Sequence, residues 1–298
     1  MTELLREVLV LGALHHDVVV DAPRLPREDE TLRGTAVDYR FGGKGGNQAL
    51  ACARMGATVR MLGRVGADAA GAQMRATLEA SGIDASGVLT GHDPSGMSVA
   101  ISLPQGDYGA VIVSGANLEN DGRLPDRQGG AALVVLQNEI PIAANRACAA
   151  QLGPDDVLVW NAAPAVLPLD PILAARCDLL IVNRIEAADL SGHDHPEAAA
   201  DALFDKVRGD VIVTLGAGGA LLRDASGLSR HAARQVQVVS THGAGDMFTG
   251  ALAARLACGA DLEQALRFAQ NAAGLFVSVA VPDRSHVTLS ALSSLTGH

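Results

Sequence analysis

Short apolar runs, mostly Val, Leu and Ile, recur at 8–11, 59–62, 132–136, 157–160, 179–182 and 211–215, each separated from the next by an interval long enough for a helix. Runs without polar alternation suit strands buried on both faces, and parallel neighbours need a long, usually helical, crossover. The pattern predicts an α/β fold, a doubly wound and mainly parallel sheet flanked by helices. Helical patterns cover 49–55, 68–81 and 262–280, the last opened by Asp261. Apolar residues make up 48% of the chain but aromatics only 3%, so the core must be built from Ala, Val and Leu. A length of 298 residues suits one domain spanning 1–298.

Two stretches break the rhythm. Residues 17–41 carry Val18-Val19-Val20, an acidic and proline-rich bend, and then an alternating segment. Residues 97–114 read as two alternating strands around Gln105-Gly106-Asp107, a hairpin pattern. Together they predict a small β-sheet lid over the main domain. The 23 basic and 33 acidic residues give a net charge of -10, which argues against nucleic acid or an anionic membrane as partner. Cys52, Cys148, Cys177 and Cys258 form no C-x-x-C pair and lie in apolar segments, as buried thiols of a reducing compartment would. The first residues are not those of a signal peptide, and no apolar run approaches the roughly 20 residues needed to span a bilayer. A cytoplasmic location is expected.

Chemistry concentrates in two glycine-rich segments. Residues 240–250, Ser-Thr-His-Gly-Ala-Gly-Asp-Met-Phe-Thr-Gly, run straight into an Ala/Leu-rich helical pattern. Such a turn points the N–H groups of Gly243, Ala244 and Gly245 at one spot, where the helix dipole favours an anion. Asp246 sits at its edge as a candidate base. The upstream segment, Phe41-Gly42-Gly43-Lys44-Gly45-Gly46-Asn47-Gln48-Ala49, also opens a helix. Gly42 and Gly43 permit close approach of a ligand to backbone, and Asn47 can both donate and accept.

This pair of segments resembles the two signatures of the ribokinase-like (PfkB) sugar kinase family, in the right order and about two hundred residues apart. The resemblance runs from about residue 8 to 277. It implies that Asp246 is the catalytic base and that Asp17, Gly43, Asn47 and Glu139 hold the acceptor, with His15, Gly42 and Lys44 beside them. An asparagine commonly stands at the place of His15 in ribokinases proper, which leaves the acceptor open. Asn183 and Glu186 look like the family's Asn-x-x-Glu element, placing phosphates and, through water, Mg²⁺. Thr214, Gly216, Gly218 and Gly219 look like its ATP-binding turn, with Gln270 and Asn271 toward the adenine. Ser240 and His242 fall where family members hold a monovalent cation. Ser240 replaces a common aspartate there, and 278–283 lacks the usual glycine-rich cation loop, so weaker K⁺ activation is expected. A Walker A motif is absent, which excludes a P-loop kinase.

The expected function is therefore an ATP- and Mg²⁺-dependent sugar kinase acting on a primary hydroxyl of a pentose such as ribose, and a homodimer through the lid. The alternatives are a nucleoside or pseudouridine kinase, a fructose-type kinase, and a sugar-binding regulator without turnover. A nucleoside base would have few stacking partners, with Tyr39, Phe41 and Tyr108 the aromatics near the lid.

Overall fold

The computed structural model describes residues 6–103, 108–126 and 130–296. The strands are β1 (Glu7–Leu11), β2 (His15–Asp21), β3 (Ala36–Gly42), β4 (Val59–Val65), β5 (Asp84–Thr90), β6 (Gly96–Ser102), β7 (Tyr108–Val113), β8 (Ala132–Leu136), β9 (Val157–Asn161), β10 (Leu179–Asn183), β11 (Asp210–Thr214), β12 (Ala220–Asp224) and β13 (Gly227–His231). The helices are α1 (Lys44–Arg54), α2 (Ala69–Ala80), α3 (Ile142–Ala150), α4 (Pro171–Ala174), α5 (Arg184–Ser191), α6 (Pro196–Phe204), α7 (Ala244–Ala257), α8 (Leu262–Ser278) and α9 (Leu289–Thr296).

Among the described residues the main sheet has nine strands in the order β13-β12-β11-β10-β9-β8-β1-β4-β5. β5 through β11 pair in parallel, and β12 and β13 add an antiparallel edge. Alternate residues of β1 enter different cores. Val8 and Val10 pack in one cluster with α1, α7 and α8, while Leu9 and Leu11 pack in another with α3 and α6. Burial on both faces is why these strands read as continuous apolar runs. The chain leaves β1 toward β4 and β5 on one side, then returns to β8 and β9 on the other. The crevice beyond the C-terminal ends of β1 and β8 is the switch point at which open α/β sheets bind ligands.

The second sheet has the order β3-β2-β6-β7. Its strands match the two stretches that break the sequence rhythm, with β2 beginning two residues earlier than expected. The expected turn at Gln105-Gly106-Asp107 lies outside the described residues, although β6 and β7 do pair antiparallel. Pairing of Val18 with Tyr39 and Val99, and of Val99 with Val111, puts these residues on one face. Asp17, Asp38 and Arg40 fall on the other.

Two elements differ from expectation. α1 begins at Lys44 rather than near residue 49. Gly43, at φ 83°, turns the chain into the helix, and Gly45 lets the first turn lie against Gly12, where a Cβ would come within 2.7 Å. β12 offers only Ala220-Leu221-Leu222 as an apolar run and β13 is mostly exposed, so neither shows the longer run that marks the inner strands.

Candidate active site

Gly243, at φ 75° and ψ 4°, is the residue before α7 and turns the chain into it. The Ala244 N–H donates to the Thr241 carbonyl at 3.1 Å. That bond takes Ala244 out of the anion-binding set expected from sequence. Gly245 and Asp246, in the first turn, have N–H groups with no intrahelical acceptor.

Asp246 is 8% exposed and anchored by amides. Gln48 Nε2 donates to Asp246 Oδ1 and to Asn161 Oδ1, each at 3.0 Å. Gln137 Nε2 donates to Gln48 Oε1 at 2.8 Å, and Asn145 Nδ2 donates to the Gln137 carbonyl at 2.7 Å. The carboxylate can only accept, so it fixes the orientation of the Gln48 amide, which in turn fixes Gln137. Burial raises the Asp246 carboxyl above its usual range, against the Lys44 charge and the Gln48 and Asn47 hydrogen bonds. A raised pKa makes it a better proton acceptor.

Two cavities meet at this helix end. One, of about 420 Å³, is lined by Asp17, Asn47, His242, Gly243 and Asp246 together with Asp38, Arg40, Phe41, Arg54, Phe276 and Arg284. The other, of about 220 Å³, is lined by Thr214, Gly216, Gly219, Gln270, Ala244 and Gly245 among mainly apolar residues. The first has charged groups suited to hydroxyls, and the second has glycines and an apolar lining suited to a flat base.

Several expected residues act on the protein rather than on a cavity. A Cβ on Gly42 would collide with the Asp17 carboxylate, and one on Gly43 with the Ala13 carbonyl. These glycines make room for the chain itself. His15 is 3% exposed and lines neither cavity, and burial lowers its pKa to about 4. Glu139 Oε2 accepts the Lys44 N–H at 2.7 Å and so caps α1. Lys44 would be lowered by burial, yet the carboxylates of Asp246, Glu139 and Glu186 outweigh this and raise it. Burial raises Asp17 to about 6; a Ser98 hydrogen bond and Arg40 oppose the shift, while Glu139 adds to it.

Asn183 and Glu186 form a capping box on α5. Asn183 Oδ1 accepts from the N–H groups of Ile185 and Glu186, and Glu186 Oε2 accepts the Asn183 N–H at 2.8 Å. Glu186 Oε1 lies outside this box. One carboxylate near Lys44 and Asp246 fits Mg²⁺, which dehydrates reluctantly and binds through few carboxylates plus phosphates. Among the described residues no group of three or more His, Cys, Asp or Glu could hold a metal. Gln270 Nε2 donates to the His231 carbonyl at 2.9 Å, while Asn271 and Gly218 do not line the cavity. The Ser240 and His242 carbonyls accept from Arg284 at 2.6 and 2.7 Å, so they do not form the expected monovalent-cation site.

Gln137, Phe276 and Arg284 were not expected at the site, and Gln48 and Asn161 stood in family-like stretches without a role assigned to them. The signal for Gln137 and Asn161 was an amide directly after a buried apolar run. No helix among the described residues is long and apolar enough to cross a membrane.

Residues 5–285 match the pfkB family carbohydrate kinase description. The chain is 35% identical to a ribokinase of Bacillus subtilis over 283 residues, covering 92% of this chain and 93% of that one. It is similar in structure to a ribokinase of Thermotoga maritima, with TM-score 0.89 and 25% identity over 99% of this chain and 100% of that one. It is also similar to an Arabidopsis thaliana ribokinase complexed with ribose and ATP, with TM-score 0.83 and 29% identity over 96% and 98% of the two chains. The chain belongs to the pfkB family of carbohydrate kinases, phosphotransferases whose acceptor is an alcohol.

Proposed function

We propose that this protein transfers the γ-phosphoryl group of ATP to a primary hydroxyl of a pentose, ribose or a close relative. The observation that carries this reading is the meeting of two cavities on the first turn of α7, with Asp246 lining the one that holds hydroxyl-binding groups. The sugar sits against Asp17 and Asn47 in the larger cavity. ATP enters the smaller one with its base toward Gln270 and its phosphates toward Gly245. Asp246 takes the hydroxyl proton, and the oxygen attacks the γ-phosphorus in line. The N–H groups of Gly243, Gly245 and Asp246 and the Lys44 ammonium stabilise the negative charge on the moving group. Mg²⁺, held through Glu186, supplies neutralisation of the phosphate charge when bound.

The small sheet acts as a lid, because the face carrying Asp17, Asp38 and Arg40 covers the acceptor cavity. Its other face exposes Val37, Tyr39, Val99, Val111 and Val113, which supports a homodimer through the lid. Tyr39 stacks on His16 on that outer face, so it is not available to a nucleoside base. The side chain of Tyr108 lies outside the described residues. A cytoplasmic location fits the free thiols of Cys52, Cys177 and Cys258, of which Cys52 and Cys177 are pushed up to about 12 by burial and so are unreactive.

The test is ADP release from Mg·ATP with ribose, deoxyribose, other pentoses, fructose and ribonucleosides. High turnover with one pentose is expected. Turnover confined to a nucleoside or a hexose would overturn the acceptor assignment, and tight sugar binding without any turnover would favour a regulator.

A further inference from the structure

The backbone immediately before α7 converges on one buried cation. Arg284, in the 3₁₀ turn Val281–His286, is 6% exposed. Its Nη2 donates to the Ser240 carbonyl at 2.6 Å and its Nη1 to the His242 carbonyl at 2.7 Å. Its Cζ lies 4.4 Å above the centre of the Phe276 ring. Among the described residues no carboxylate forms a salt bridge with it. The buried charge is therefore balanced by two carbonyl dipoles and an aromatic face.

Convergent carbonyls of this kind suit an alkali cation. An inorganic ion does not fit beside the guanidinium, since both carbonyls are engaged and a second positive charge would be repelled. Nor does Ser240 bring a carboxylate, and its hydroxyl accepts the His242 N–H at 3.4 Å. The same segment sets the anion site. Thr241 accepts the Ala244 N–H, and Gly243 follows His242 directly. Displacing the 240–242 carbonyls would swing the first turn of α7 and its N–H groups.

We propose that Arg284 is a built-in cation that holds this turn in its anion-binding form, so that the protein needs no monovalent ion. It is a positioning residue, acting through Gly243 and Gly245. The proposal rests on the kinase reading for its activity readout, and a direct binding readout keeps the two separable.

The experiment compares wild type with Arg284→Ala and Arg284→Lys in buffers where N-methylglucamine, Na⁺ or K⁺ is the monovalent cation. It measures kcat, both KM values and, by calorimetry, ATP affinity. Wild type should vary less than twofold across the three cations in kcat and in ATP affinity. Arg284→Ala should lose about 10²-fold in kcat, as oxyanion-site losses do. Millimolar guanidinium or K⁺ should restore much of that loss, which a purely structural defect would not allow. Arg284→Lys keeps the charge but not the two-pronged fork, and should fall between the two. Severalfold activation of wild type by K⁺, or tightening of its ATP binding by K⁺, would overturn the proposal. So would wild-type kcat in both variants, or a loss in Arg284→Ala that neither cation relieves. Should Arg284→Ala not fold, the wild-type cation series and Arg284→Lys decide. Absence of turnover with every sugar would count against the kinase reading, while the cation dependence of ATP binding would still test Arg284.

Discussion

Asp17, which lines the larger cavity, shows how a residue proposed to bind can act against the fold. Its carboxyl is raised from 3.8 to about 6, mainly by burial. The folded chain thus holds this proton more tightly than the unfolded chain, so stability falls as pH rises from about 4 to about 6. Asp17→Asn should therefore gain on the order of 1–3 kcal/mol in urea unfolding at pH 7, and less at pH 5. The same change should raise the acceptor KM. In wild type that KM should climb as pH falls through about 6, where the carboxylate takes up its proton. A flat KM between pH 5 and 8 would contradict the role. Gln48→Leu should lower kcat by tenfold or more, because Asp246 loses its anchor while Gln137 loses an acceptor. Asp246, Asn47 and Asp17 could be singled out as candidates because each follows a glycine turn or a strand end. Gln48, Gln137 and Asn161 were not, because their partners lie 89, 113 and 198 positions away and only the fold joins them. Gly42 and Gly43 also serve the fold. The space they open is filled by the Asp17 carboxylate and the Ala13 carbonyl, which sequence spacing cannot show.

At the scale of elements, α1 and α7 must touch for Gln48 to reach Asp246. Gly250 permits this, since a Cβ there would collide with Ala51 and come within 2.6 Å of the Gln48 carbonyl. Cys52 Sγ also donates to the Gly250 carbonyl at 3.2 Å. Gly250→Val should destabilise by about 1–3 kcal/mol through overpacking and lower kcat as Gln48 withdraws. Unchanged denaturant midpoint and turnover would show that the contact is dispensable. The inner strands were readable because burial on both faces leaves an unbroken apolar run. The β12–β13 edge was not, because β12 buries only the short run Ala220-Leu221-Leu222 and β13 is mostly exposed. In the Asn183-x-x-Glu186 element the capping box had its own sequence signature. The pair anchors α5 and leaves one Glu186 oxygen outward, so a structural and a catalytic reading coexist.

For the whole molecule, the face of the small sheet turned away from the cavity carries Val111 at 67% and Tyr39 at 60% exposure, an area that association would cover. Sedimentation should find a dimer, and Val111→Asp should shift it toward monomer with little change in melting temperature. A monomeric wild type would contradict the lid interface. The two cavities both reach the α7 terminus and have separate linings, so both ligands should be bound together before any transfer. The most direct measurement is calorimetry and turnover on Asp246→Asn. The account predicts that the variant binds ribose and Mg·ATP together with affinities near those of wild type, while turnover falls by roughly 10³-fold or more. Near-normal turnover in that variant would contradict Asp246 as the base, and loss of both ligands would mean that it holds the fold rather than the proton.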